Sequence, residues 1–188
     1  MMRRCCAVLL LLISSAASAG PTGEPDEALK QAMLNAINET DGFVDRFDAE
    51  VWLADMSFRL TPFVAEASQR KKLLRMIHSE ASRAKLSAEL VLSVIEIESR
   101  FNRYAISKSG ALGYMQIMPF WLKEIGKKGD SLFDPRTNLR YGCTILKYYL
   151  EIEQGDVVRA LARYNGSLGR VDYPALVLTA LEQRWSRR

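Results

Sequence analysis

"SAELVLSVIEIESRFNRYAISKSGALGYMQIMP", residues 87–119, joins an apolar run to a loop rich in Gly and Ser, and carries two glutamates two positions apart. Read as a helix from Ala88 with Ser87 as its cap, Val91, Val94, Ile95 and Glu98 follow the i, i+3, i+4, i+7 spacing of a buried stripe. A helix turns about 100° per residue, so Glu96 and Glu98 point about 200° apart and cannot share a site. Glu96 falls with Glu89, Ser93 and Arg100 on a polar stripe, where an i, i+4 pair with Arg100 on a solvated face is expected. Glu98 is the anomaly. A carboxylate on an apolar stripe at the negative end of a helix is disfavoured in its charged form, so its pKa should rise. That suits a general acid, and equally a buried structural glutamate held by hydrogen bonds.

The surrounding text is helical. Asp26 is placed to cap "EALKQAMLNAINE", Asp48 to cap "AEVWLADMSFRL", and "VAEASQRKKLLRMIHSEASRA" is a third amphipathic run. Asp134-Pro135 is an N-cap with Pro at the first helical position, and Asp156 opens "VVRALARYN", stopped by Gly166. A last run extends from Tyr173 to about Trp185. Extended structure is confined to short pieces between Ala105 and Met118, and there are no repeats. The class is mostly α.

The 188 residues carry a net charge of +4. Residues 1–19 read as a removable export signal: Arg3 and Arg4, an apolar run too short to span a bilayer, then a small-residue site before Gly20. Without them 24 basic side chains face 22 acidic ones. No dense basic patch is interleaved with aromatics, so nucleic acid is not an expected partner. Cys143 is the one cysteine outside the signal and has no internal disulfide partner, which favours a periplasmic location. His78 stands alone, so no metal site is expected. Arg70-Lys71-Lys72 reads as a solvated helix face able to touch anionic wall or lipid head groups.

"ESRFNRYAISKSGALGYMQIMP", "FDPRTNLRYG" and "ARYNGS" together resemble the soluble lytic transglycosylases of bacterial cell walls, over about Leu73 to Trp185. The resemblance implies a lysozyme-like helical domain (63–188) behind a lead-in and helical N-terminal extension (20–62). It implies Glu98 as the catalytic acid and base, and Ser107 as its helper. It also implies substrate contacts from Met115, Gln116, Met118, Tyr164 and Asn165, with the Tyr164 hydroxyl within reach of Glu98. Two positions depart from the pattern: Tyr114 stands where Leu is usual, and Gly166 comes one residue early. The implied activity is cleavage of peptidoglycan glycan strands without a cofactor, by a monomer. The absent second carboxylate fits a reaction in which the substrate supplies the nucleophile. Asp130 and Asp134 have adequate structural roles in a turn and a cap. A lysozyme-type hydrolase and a non-catalytic wall-binding module are the alternatives. Residues 26–60 are read either as a clasp on the domain or as a site for cell-envelope protein partners.

Overall fold

A computed structural model describes residues 27–38 and 46–186. They form α1 (Glu27–Asn38), α2 (Arg46–Arg59), α3 (Ala67–Arg83), α4 (Ala88–Ser99), α5 (Phe120–Ile125), α6 (Pro135–Ile152), α7 (Val157–Tyr164) and α8 (Asp172–Ala180), then a π-helical turn, Leu181–Trp185. Extended structure among the described residues is limited to two isolated antiparallel bridges, Ile106 with Leu112 and Leu112 with Ile117. The expected export signal and the Asp26 cap lie outside the described residues.

The caps that local chemistry dictates are made. The side chains of Ser87, Asp134 and Asp156 accept from the backbone N–H groups of Leu90, Thr137 and Arg159 at 3.2, 2.9 and 3.0 Å. Two helix starts differ from expectation. α2 begins by Arg46, so Asp48 lies inside it. α3 begins at Ala67 because the Glu66 side chain accepts from the N–H groups of Ser68 and Gln69, a stronger start signal than the apolar Val64.

The middle of α4 is enclosed on all sides, while its last turn is half-buried. Val91, Leu92, Val94 and Ile95 are fully buried, and so is Ser93 on the expected polar stripe. Two tryptophans cover that stripe. Trp52 of α2 donates its indole N–H to Glu89 at 2.9 Å, and Trp185 of the terminal turn donates to Glu96 at 2.8 Å. Glu96 also meets Arg184 at 3.2 Å, so its expected solvated pairing with Arg100 is not made. The reason is local: the helix ends at Ser99, and Arg100 turns left-handed (φ 49°) and lays its guanidinium over the Phe63 ring.

α3 and α6 are joined through a buried charge cluster. Glu80, 1% exposed, accepts from Arg140 Nη2 at 2.7 Å and from Arg83 Nε at 2.8 Å, and Arg83 also donates to Thr144. Such a cluster fixes register more than it adds net stability, because desolvation offsets most of the attraction. α1 and α2 pack into the same core: Leu29, Met33, Trp52, Met56 and Leu60 are buried there. Arg59 donates to the Arg184 and Ser186 carbonyls, tying α2 to the chain's last described turn.

The loop after α4 is held by Asn138 of α6, itself 1% exposed. Its Nδ2 donates to the carbonyls of Leu112 and Leu132 at 2.8 and 2.9 Å, and its Oδ1 accepts from the Met115 N–H at 2.8 Å. Gly113 fits beneath it at φ +76°, where an added Cβ would lie 2.5 Å from the Leu132 carbonyl oxygen. Asn138→Ala strands the Leu132 carbonyl and the Met115 N–H, while the Leu112 carbonyl keeps the Ile117 N–H, and is expected to cost about 2–3 kcal/mol, read as a fall in Tm by circular dichroism. Asn138→Asp keeps the acceptor but loses both donors, so it should also destabilise. A Tm unchanged in both variants is incompatible with this role.

Candidate active site

Glu98 occupies the last turn of α4, half-buried. The end of that turn is stitched down by Ser99, whose hydroxyl donates to the Tyr114 carbonyl at 2.8 Å. Glu98 Oε1 accepts a hydrogen bond of 2.6 Å from the Tyr173 hydroxyl. Burial raises the carboxyl from 4.5 to about 7, against a smaller downward pull from the Tyr173 hydrogen bond. Burial and the Glu98 charge hold the Tyr173 phenol well above its ordinary value, so Tyr173 stays a neutral donor throughout the range in which Glu98 titrates.

Tyr173 is the site residue that sequence reasoning missed. It lies in the first turn of α8, with Pro174 following it, and shares the buried stripe of that helix with Val177. A buried tyrosine hydroxyl needs a partner. Glu98 is the polar tip on one apolar stripe and Tyr173 the polar tip on another, which is a signal the sequence contained.

Tyr164 packs inward at the end of α7, but its hydroxyl donates to the Met115 carbonyl at 2.8 Å and not to Glu98 as expected. That carbonyl belongs to the residue whose N–H is taken by Asn138, so the two bonds clamp the loop from opposite sides. Tyr164 remains close enough to feel the Glu98 charge, which adds to burial in raising its phenol.

Ser107 acts within its own loop. Its hydroxyl accepts from the Ala111 N–H at 2.9 Å and lies 2.9 Å from the Ser109 hydroxyl; no bond joins it to Glu98. Gln116 is left-handed (φ 52°), and its Nε2 donates to the carbonyls of Gly113 and Ala105 at 2.9 and 3.2 Å. Both amide protons are thereby committed, and Oε1 is left as an acceptor. Beside it is a cavity of about 60 Å³ lined by Met118, Phe120, Trp121, Ile145, Tyr149 and Tyr164.

Met115 does not reach this cavity. It is fully buried, and its side chain fills the notch at Gly142, where an added Cβ would lie 2.7 Å from Met115 Cβ and closer still to Sδ. The expected substrate contact from Met115 is therefore replaced by core packing. Met118 is half-buried on the cavity wall, and Asn165 is exposed at the end of α7, its backbone N–H donating to Leu161.

Asp134 caps α6, and Asp130 accepts from the Lys127 N–H at 2.8 Å in the preceding turn. Neither contributes to the Glu98 shift. Among the described residues no group of three His, Cys, Asp or Glu side chains is arranged to hold a metal ion. Burial pushes the Cys143 thiol far up, which makes it inert.

A family model described as Transglycosylase SLT domain matches residues 75–175, and the chain belongs to that family. It is 34% identical over 118 residues to the membrane-bound lytic murein transglycosylase C of Yersinia pestis (strain Pestoides F), covering 53% of this chain and 32% of that protein. The same figures hold for the protein of that name from Yersinia pseudotuberculosis serotype I (strain IP 32953). The chain thus spans about a third of the length of these curated relatives. A solved structure, an inactive mutant of lytic transglycosylase Slt from Pseudomonas aeruginosa, is 27% identical with a TM-score of 0.45, over 60% of this chain and 20% of that one.

The Glu98 geometry yields two expectations. Tyr173→Phe removes the hydrogen bond that lowers the Glu98 pKa, so its titration by NMR should move upward. Because folding raises the carboxyl from 4.5 to about 7, the folded state binds its proton more tightly than the unfolded state does. Stability present below about pH 4.5 is therefore lost as pH rises through about 7. Glu98→Gln should raise Tm by a few degrees at pH 8 and much less at pH 4.5; equal shifts at both would contradict the assignment.

Proposed function

We propose that the protein is an exported lytic transglycosylase that cuts peptidoglycan between N-acetylmuramic acid and N-acetylglucosamine without consuming water. The observation that carries this reading is the half-buried carboxyl of Glu98, raised to about 7 and bonded on one oxygen by Tyr173. With Oε1 held by Tyr173, Oε2 is the oxygen left for chemistry. Protonated Glu98 gives its proton to the glycosidic oxygen as the C1–O bond breaks. The muramyl 2-acetamido carbonyl oxygen supports the anomeric carbon in place of a second protein carboxylate. Glu98, now a carboxylate steadied by the Tyr173 hydrogen bond, takes the proton from the same sugar's C6 hydroxyl. O6 then bonds to C1, releasing the acetamido oxygen and leaving a 1,6-anhydromuramyl end. The glutamate is regenerated in its acid form, and the reaction needs no cofactor.

Gln116 and the adjoining cavity suit an acetamido group: Oε1 accepts its N–H, and the apolar walls take a methyl. Ser107, at the loop edge, offers a hydroxyl to a sugar, and Met118 and Asn165 complete the substrate contacts in this reading. The domain 63–188 then does the chemistry, with 1–19 as the export signal and the periplasm as its setting.

Muropeptides released from purified sacculi and weighed by mass spectrometry test the reaction. Wild-type protein should give muramyl ends one water lighter than hydrolysed ends, and Glu98→Gln should give none. Reducing ends would replace the transglycosylase with a hydrolase. Binding to sacculi without products from the wild type would replace it with a wall-binding module. For the acetamido contact, Gln116→Leu should lower kcat/KM on intact glycan by about 10²-fold. De-N-acetylated glycan, which lacks the muramyl acetamido carbonyl that the reaction uses, should give no anhydro ends with either protein.

A further inference from the structure

α2 is apolar on two sides. Trp52, Met56 and Leu60 are buried in the core, while Val51 and Phe58 on the opposite side are 55% and 81% exposed, with Ala54 exposed between them. The i, i+3, i+7 spacing of Val51, Ala54 and Phe58 makes them one narrow outward stripe. α3 runs antiparallel beside it, in a register set by Arg70 Nε donating to Ser57 at 3.3 Å and by Trp52 meeting the His78 ring edge-on at 5.0 Å. Along the outer side of α3, Lys71, Lys72 and Arg75 are exposed. Of the described acidic groups nearby, only Asp55 is paired with a cation, and the exposed Glu66 keeps its charge. Asp55 is paired with Arg59 at 2.8 Å, and Glu66 is occupied by the N–H groups at the start of α3. Glu50 is exposed and remains as an opposing charge.

We infer that this α2–α3 face docks on an anionic lipid surface. Phe58 and Val51 enter the headgroup boundary, and Lys71, Lys72 and Arg75 meet lipid phosphates. The two features select one occupant together. The cations ask for a negative partner, and the phenylalanine asks for an apolar phase, which a sugar polymer does not offer but a bilayer boundary does. Among the described residues no helix is long and apolar enough to cross a membrane, so this contact lies in the interface. The placement also suits the site. α2 covers the face of α4 that carries Glu89, and Glu98 projects from the opposite face, about 200° from Glu96. A chain seated on α2 and α3 therefore holds Glu98 on the side away from the bilayer.

Vesicle flotation of the full chain tests this, using phosphatidylglycerol mixed about one to two with phosphatidylcholine, and pure phosphatidylcholine as the comparison. The wild type should float with the anionic vesicles and much less with the neutral ones. Phe58→Ser and the double variant Lys71→Gln/Arg75→Gln should each weaken binding by about tenfold, the latter in a salt-sensitive way. Near-UV circular dichroism confirms that both are folded. Three results would overturn the inference: equal binding to neutral vesicles; binding unchanged in both variants, which assigns it to the apolar run near the N-terminus; or no vesicle binding with self-association that Phe58→Ser abolishes, which makes a second copy the occupant. None of these readings depends on turnover of glycan.

Discussion

Asn138 is the constraint on which the rest of the site depends. A single amide, sealed from water, reaches three points of the chain that precedes α6: the two carbonyls of Leu112 and Leu132 and the N–H of Met115. The loop from Asn102 to Pro119 is folded by its own short-range bonds, among them Gly113 N–H to Ala105, Ser107 N–H to Ala111 and the Leu112–Ile117 pair, and is seated on the helices by bonds from outside. Asn138 holds it from below, and the Tyr164 hydroxyl holds it at the Met115 carbonyl. Gln116 can then adopt a left-handed backbone and turn its amide inward, because both neighbours in the turn are already fixed. A residue that never meets substrate in the proposed reaction thus sets the position of one that does.

The back of the molecule follows a different logic. α4 is apolar enough for its middle to be buried on every side, and its two rear carboxylates would be costly there without partners. The indole N–H groups of Trp52 and Trp185 supply those partners from distant parts of the chain. Each tryptophan covers apolar surface and satisfies one acid, so the N-terminal helices and the C-terminal turn are both fastened to the helix that bears Glu98. Among the described residues, Glu98 has no cation beside it comparable with Arg184 at Glu96. One neutral hydroxyl at 2.6 Å leaves its carboxyl protonatable near neutrality.

What could be read from the sequence was what local rules govern. The caps at Ser87, Asp134 and Asp156, the buried stripe of α4 and the isolation of Glu98 from Glu96 all follow from residues within a turn or two of one another. The SLT motifs carried the family. What could not be read depends on contacts across tens of residues. Glu96 looks like a solvated helix position until Trp185, 89 residues later, lies over it. Tyr173 is 75 residues from Glu98, and Glu80 is 60 from Arg140. Counting at i+4 cannot anticipate such pairings. α5 is six residues long, too short to show a period. The Tyr164 assignment failed in direction: the ring packs inward as its stripe requires, but the nearest acceptor is a backbone carbonyl.

The contact between Met115 and Gly142 has a chemical consequence. The methionine sulfur lies where even a methyl on Gly142 would not fit. Oxidation to the sulfoxide adds a polar oxygen to that sulfur, and the closed molecule has no room for it. An oxidant therefore reaches Met115 only when the loop lifts from α6, and once it has reacted the loop cannot settle back. Sulfoxide at Met115 would thus mark molecules in which the loop has opened.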